Sequence, residues 1–87
     1  MKRTIIVSNR GGLHARPSAM VVQLLKDFKA DVFIETEIET VNAKSIMGLL
    51  MLGATYKSRL NITADGEDAE QALDALTKLF DSKFEEE

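Results

Sequence analysis

The spacing of apolar and polar residues changes several times along this chain, and each change marks an element. Arg3 to Ser8 is rich in β-branched residues and reads as a strand, with Ile5 and Val7 on one face. Asn9 to Gly12 has the composition of a turn. From Ala15 to Lys29 the apolar residues Met20, Val21, Leu24, Leu25 and Phe28 form one helical stripe. That stripe assigns Met20 to the core. Asp31 to Thr36 is a second strand, with Val32 and Ile34 on one face, and Glu39 to Asn42 is its hairpin partner. The connection Thr36-Glu37-Ile38-Glu39 lacks the Asn-Gly or Asp-Gly of a tight hairpin, and Ile38 tolerates a positive φ poorly. A longer or irregular turn is expected there.

The second half continues the alternation. Ser45 is suited to an N-cap and Gly53 to the position after a helix, so residues 46–52 form a short helix of about two turns. This segment is apolar almost all round, and its Met and Leu side chains suit an adaptable docking surface. Arg59 to Ala64 alternates, with Leu60, Ile62 and Ala64 inward, as a strand with one wet face does. Asp68 and Gln71 fit a capping-box start. Ala69, Ala72, Leu73, Leu76, Leu79 and Phe80 then give a long amphipathic helix, and residues 83–87 read as a polar tail. The order is β-α-β-β-α-β-α. It predicts an α+β fold, an open-faced β-sandwich with a four-stranded antiparallel sheet and three helices on one face.

Composition narrows the chemistry. At 87 residues a single domain is expected, residues 1–87. There is no Cys, which excludes disulfides and thiol chemistry, and a single His without Cys argues against a structural zinc site. Glu35, Glu37 and Glu39 read as a solvated acidic hairpin rather than a metal site; no metal and no cofactor are expected. The apolar run after Met1 is too short for a signal peptide and no segment is long enough to span a membrane, so a cytoplasmic location is the default expectation. A net charge of −3 argues against a general nucleic-acid binder, leaving open a local basic patch around Arg10, Arg16 and Lys44.

The only histidine carries the strongest chemical signal. His14 lies in Gly11-Gly12-Leu13-His14-Ala15-Arg16-Pro17-Ser18, immediately before the first helical stripe. Pro17 suits the first turn of a helix. His14 is therefore placed at a helix N-terminus, where backbone N–H groups and the helix dipole favour an anion. Arg16 adds a planar fork of donors matched to phosphate, and the paired glycines permit close approach. The ordinary alternative is a polar residue that caps or decorates a turn. Arg16, Pro17 and the glycines shift the balance toward a histidine that accepts and releases a phosphoryl group, with Ala15, Arg16 and Pro17 forming the phosphate site.

Taken together, Gly12-Leu13-His14-Ala15-Arg16-Pro17, Asn42-Ala43-Lys44-Ser45-Ile46-Met47-Gly48 and Met51-Leu52-Gly53 resemble the histidine-containing phosphocarrier (HPr) family of the bacterial phosphoenolpyruvate-dependent sugar phosphotransferase system. The resemblance runs over essentially the whole chain. It implies that His14 accepts the phosphoryl group through Nδ1 and that Arg16 steadies it. It implies that Ser45 matches the regulatory serine modified by an HPr kinase/phosphorylase in many relatives. Leu13, Ile46, Met47 and Leu50 match the apolar docking surface. The implied partners are enzyme I as donor and enzyme IIA domains as acceptors, the implied carrier being a monomer and not an enzyme in itself. Gly11, Lys57 and Glu37-Ile38 depart from the family pattern, and the C-terminal residues 79–87 look more like a nitrogen-regulatory branch. A regulatory phosphocarrier of that branch, and a non-catalytic interaction domain on the same scaffold, are the competing expectations.

Overall fold

The structure is a computed structural model that describes residues 1–85. Its elements are β1 (Lys2–Ile6), α1 (Ala15–Leu25), β2 (Asp31–Glu35), β3 (Thr40–Asn42), α2 (Ile46–Leu52), β4 (Arg59–Asp65) and α3 (Ala69–Asp81), followed by a 3-10 turn at Lys83–Glu85. The strands form one antiparallel sheet in the order β1-β4-β2-β3. Register aligns Ile5 with Leu60, Ile34 with Ile62 and Val32 with Ala64. Because side chains alternate along a strand, these six share one face, and all are buried. Val21 and Leu25 of α1, Leu49 of α2 and Leu73, Leu76 and Phe80 of α3 complete the core. The opposite sheet face keeps polar pairs such as Thr4, whose Oγ1 donates to Asn61 Oδ1 at 2.9 Å. This is the open-faced sandwich the periodicity predicts.

Element ends differ from the expected ones for identifiable reasons. β1 stops at Ile6 rather than Ser8, although Val7 still donates to the Ser58 carbonyl and accepts from Lys57 N. Ser8 instead turns its hydroxyl to the Phe80 carbonyl at 2.9 Å. α1 ends at Leu25, three residues before Phe28, the last residue of the apolar stripe. Phe28 still packs against the core, but from a turn closed by Phe28 N donating to the Leu25 carbonyl. The hairpin avoids a positive φ at Ile38 by using the Thr36 side chain, whose Oγ1 accepts from Ile38 N and Glu39 N at 3.3 Å.

The capping box expected at Asp68 does not form. Asp68 is the N-cap of α3, but its carboxylate makes no cap bond to that helix. It accepts from Lys29 N and Ala30 N, both at 2.8 Å, tying the α1–β2 connection to the start of α3. Those amide bonds, Lys29 first, hold its pKa below the usual carboxylate range.

The polar tail is corrected over residues 83–85, while Glu86 and Glu87 lie outside the described residues. Phe84 is fully buried and meets Phe80 edge-on, with ring centroids 4.8 Å apart at 66°. Lys83, Phe84 and Glu85 take φ values of 56°, 55° and 59°, left-handed backbone in three consecutive non-glycine residues. Such backbone costs about 1–2 kcal/mol per residue. Burying Phe84 returns about 1.5–3 kcal/mol, and the aromatic pair and each hydrogen bond of the turn add about 1 kcal/mol, so the two sides are of similar size.

Candidate functional site

The segment before α1 is held in place by its own neighbours. Asn9 is completely buried, and its Nδ2 donates to the Gly12 carbonyl at 2.9 Å while Gly12 N donates to the Asn9 carbonyl. Gly12 has φ +67°, and a Cβ there would fall 2.4 Å from the Ala54 carbonyl oxygen. Only glycine fits this position. Leu13 N then donates to that same Ala54 carbonyl at 2.9 Å. Buried Ser18 closes the loop from the other side, its hydroxyl donating to the Leu13 carbonyl at 3.2 Å.

This framework delivers His14 to the N-cap of α1 with its side chain exposed. The His14 carbonyl accepts the first helical bond, from Ser18 N at 3.0 Å, but the imidazole makes no capping bond. The capping alternative raised by the sequence is therefore not what the side chain does. Pro17 is the third helical residue and brings no N–H, so of the first three helical residues Ala15 and Arg16 contribute the amides that lie outside the helical ladder. Arg16 is exposed, and its Nη1 donates to the Phe84 carbonyl at 3.2 Å. His14 and Ala15 line a shallow pocket of about 290 Å³ with Gly11, Leu50, Gly53 and Thr55. An exposed imidazole, helix-end amides and an arginine thus lie within three residues of one another. No group of carboxylates or imidazole suited to a metal ion occurs among the described residues.

Comparison with known proteins shows the family. The sequence model of the family described as "PTS HPr component phosphorylation site" matches residues 1–82. The chain belongs to the HPr phosphocarrier family. It is 39% identical over 87 residues to the phosphocarrier protein HPr of Xylella fastidiosa, covering 100% of this chain and 98% of that protein. It is 42% identical over 85 residues to that of Treponema pallidum, with 98% and 97% covered. The crystal structure of HPr from Thermoanaerobacter tengcongensis superposes with a TM-score of 0.95 at 42% identity, covering 100% and 98% of the two chains.

Against the HPr pattern, the docking set divides. Ile46, Met47 and Leu50 are exposed on α2, Met47 at 62%. Leu13 is not; at 3% exposure it belongs to the core. The family resemblance implies a docking role for it. The backbone bond to Ala54 and the positive φ of Gly12 instead turn its side chain inward, where it anchors the His14 loop. Met51, 72% exposed, and Tyr56, exposed beyond the end of α2, are further exposed apolar residues that the docking set did not name. Ser45 is the N-cap of α2: its Oγ accepts from Gly48 N at 3.1 Å and is half-buried. Of the basic patch, Lys44 is committed elsewhere, its Nζ donating to the Phe28 carbonyl at 2.7 Å.

Asn9, Ser18 and Ala54 were also missed. Asn9 carried a readable signal, since Asn in a turn hydrogen-bonds its own local backbone. Ser18 and Ala54 carried none, because each acts through a contact that only the fold creates. No helix among the described residues is long and apolar enough to cross a membrane.

Proposed function

We propose that this chain carries a phosphoryl group on His14, taking it from phospho-enzyme I and passing it to enzyme IIA domains in sugar uptake. The observation that carries this reading is an exposed imidazole at a helix N-cap that makes no capping bond, on a loop fixed by buried Asn9, Leu13 and Ser18. In the transfer, the lone pair of Nδ1 attacks phosphorus. The bond from phosphorus to the donor breaks, and the donor leaves with that electron pair. The same exchange in reverse delivers the group to the IIA domain. Attack requires the neutral imidazole.

Phosphoryl transfer asks the protein for position and charge rather than covalent chemistry. The Ala15 and Arg16 amides and the Arg16 guanidinium face the roughly two negative charges of the product. Pro17 contributes by fixing its φ and by withholding an N–H. Solvent exposure of His14 keeps the group within reach of more than one partner. Ile46, Met47 and Leu50 form the docking patch, and Leu50 joins it to the His14 pocket.

Ser45 is the proposed control point for an HPr kinase/phosphorylase. A phosphate there sits at a helix N-terminus, where its charge is favoured by about 0.3–1 kcal/mol. It would leave the fold intact and put about two negative charges beside the docking patch. Ser45→Asp is expected to weaken enzyme I binding without changing the circular dichroism spectrum, as is Met47→Glu.

The test is a two-step transfer. The chain is labelled with enzyme I and labelled phosphoenolpyruvate, isolated, and offered to purified IIA domains of the sugar and nitrogen branches. Label moving to a sugar-specific IIA domain supports the reading. Label that moves only to a nitrogen-branch acceptor replaces it with the regulatory one.

A further inference from the structure

We propose that the C-terminal turn Lys83–Glu85 is a latch on Arg16, released when His14 is phosphorylated; this rests on the phosphocarrier reading above. Three consecutive left-handed residues outside glycine persist only where their surroundings over-determine them. Here two of those surroundings are specific contacts of Phe84. Phe84 is anchored by its buried ring against Phe80, and this fixes its carbonyl where Arg16 Nη1 donates to it. Glu85 N donates to the Ser82 carbonyl at 2.9 Å and closes the turn. Residue 84 is thereby joined to residue 16, two positions from the acceptor histidine.

The contact holds Nη1 of the guanidinium at the C-terminal turn. Arg16 lines the groove between α1 and α3 with Ala19, Met20, Leu24 and Leu79, whereas His14 opens on the other side of α1, toward Leu50, Gly53 and Ala54. In this state Arg16 is drawn toward the C-terminal turn. A phosphoryl group on His14 changes the competition. Charge-assisted bonds from a guanidinium to phosphate are about twice as strong as bonds between neutral partners. The guanidinium is one rigid plane, so turning its fork to the phosphoryl group moves Nη1 off the Phe84 carbonyl. The turn then keeps its backbone strain and loses one of the contacts that offset it. Coupling of this kind is reciprocal: what loosens the turn must favour phosphorylation.

The test uses the full chain, phosphorylated with phosphoramidate, a small donor that needs no partner protein. Hydrogen exchange at the Glu85 amide is compared before and after, with ³¹P NMR confirming the phosphohistidine. Exchange is expected to accelerate by about fivefold or more, the lower end of measured couplings between sites. Arg16→Gln, which leaves the core untouched, should accelerate it to the same extent without phosphorylation. In Phe84→Ala, the equilibrium for phosphoryl exchange with phospho-enzyme I should shift about fivefold toward the phosphorylated chain. Unchanged Glu85 exchange in a chain whose His14 is fully phosphorylated overturns the latch and leaves the phosphocarrier reading standing. A Phe84→Ala equilibrium shifted the other way also overturns it, and makes Phe84 a support for Arg16 instead. A His14 that takes no phosphoryl group from either donor overturns both.

Discussion

The starts of α1 and α2 are built from the same backbone plan and put their N-cap side chains to different ends. In α2, Ser45 accepts a hydrogen bond from Gly48 N, three residues on, as a capping side chain does. In α1 the residue three positions after the N-cap is Pro17, which has no N–H to offer. The His14 imidazole makes no capping bond, and the loop before it is instead secured by Asn9, Gly12 and Ser18. The difference lies in whether the cap side chain satisfies the helix end. The N-terminal turn keeps the amides of Ala15 and Arg16 outside the helical ladder, and the His14 side chain does not cap them. Ser45, by contrast, has a complete structural explanation before any regulatory one is added.

The comparison breaks most visibly at Arg16. If its guanidinium serves the phosphoryl group, Arg16→Ala should remove charge-assisted bonds of about 1.5–3 kcal/mol and slow transfer from enzyme I by roughly tenfold to a hundredfold. The melting temperature should move little. A normal transfer rate with a large loss of stability would reassign Arg16 to the fold.

The next effect is on stability and separates the two caps. Ser45→Ala should cost about 1 kcal/mol in denaturant unfolding. His14→Asp should gain less than about 0.5 kcal/mol alone, but about 1 kcal/mol more when combined with Pro17→Ala, which restores the missing amide. An additive double-mutant cycle would mean that Pro17 is not what keeps the cap unused.

A smaller effect lies in the loop that supports the site. Gly12 and Lys57 both have positive φ, but only Gly12 is free of the steric cost. Lys57 stands in the turn Thr55–Ser58, where Ser58 N donates to the Thr55 carbonyl. Lys57→Gly should stabilise the chain by about 0.5 kcal/mol, the relief of left-handed strain less the entropy glycine loses. Gly12→Ala should do the reverse and far more strongly, because of the Ala54 carbonyl.

The third helix start gives the smallest effect, read through pH. The Asp68 carboxylate has a lowered pKa in the folded chain, so its stabilisation is present above its unfolded pKa and is lost as pH falls through the folded one. Wild type should therefore melt above Asp68→Asn near neutral pH. That gap should narrow as pH drops below about 4, the ordinary carboxylate range. A gap independent of pH would show that the charge plays no part.

Much of this was legible in the chain. The period-2 and period-3.6 patterns place the strands and helices because burial on one face demands them, and Ser45 and Gly53 bound α2 as expected. The proposed site of His14, Arg16 and Pro17 is readable because these residues are close in sequence and each answers a need of phosphate at a helix end. What the pattern hides is any contact between distant segments. Leu13 reads as surface until Gly12 and Ala54 turn it inward. Asp68 reads as a cap until Lys29 and Ala30 claim its carboxylate. Phe84 sits among charged residues and reads as tail, yet Phe80 supplies its pocket.

The central claim is that His14 is the phosphoryl acceptor, and one measurement addresses it directly. Wild type and His14→Ala are incubated with enzyme I and labelled phosphoenolpyruvate, and the label is located and its acid stability recorded. The account predicts one acid-labile phosphate on wild type, with the ³¹P signal of a phosphohistidine, and none on His14→Ala despite an unchanged fold. Equal labelling of the two proteins would contradict it.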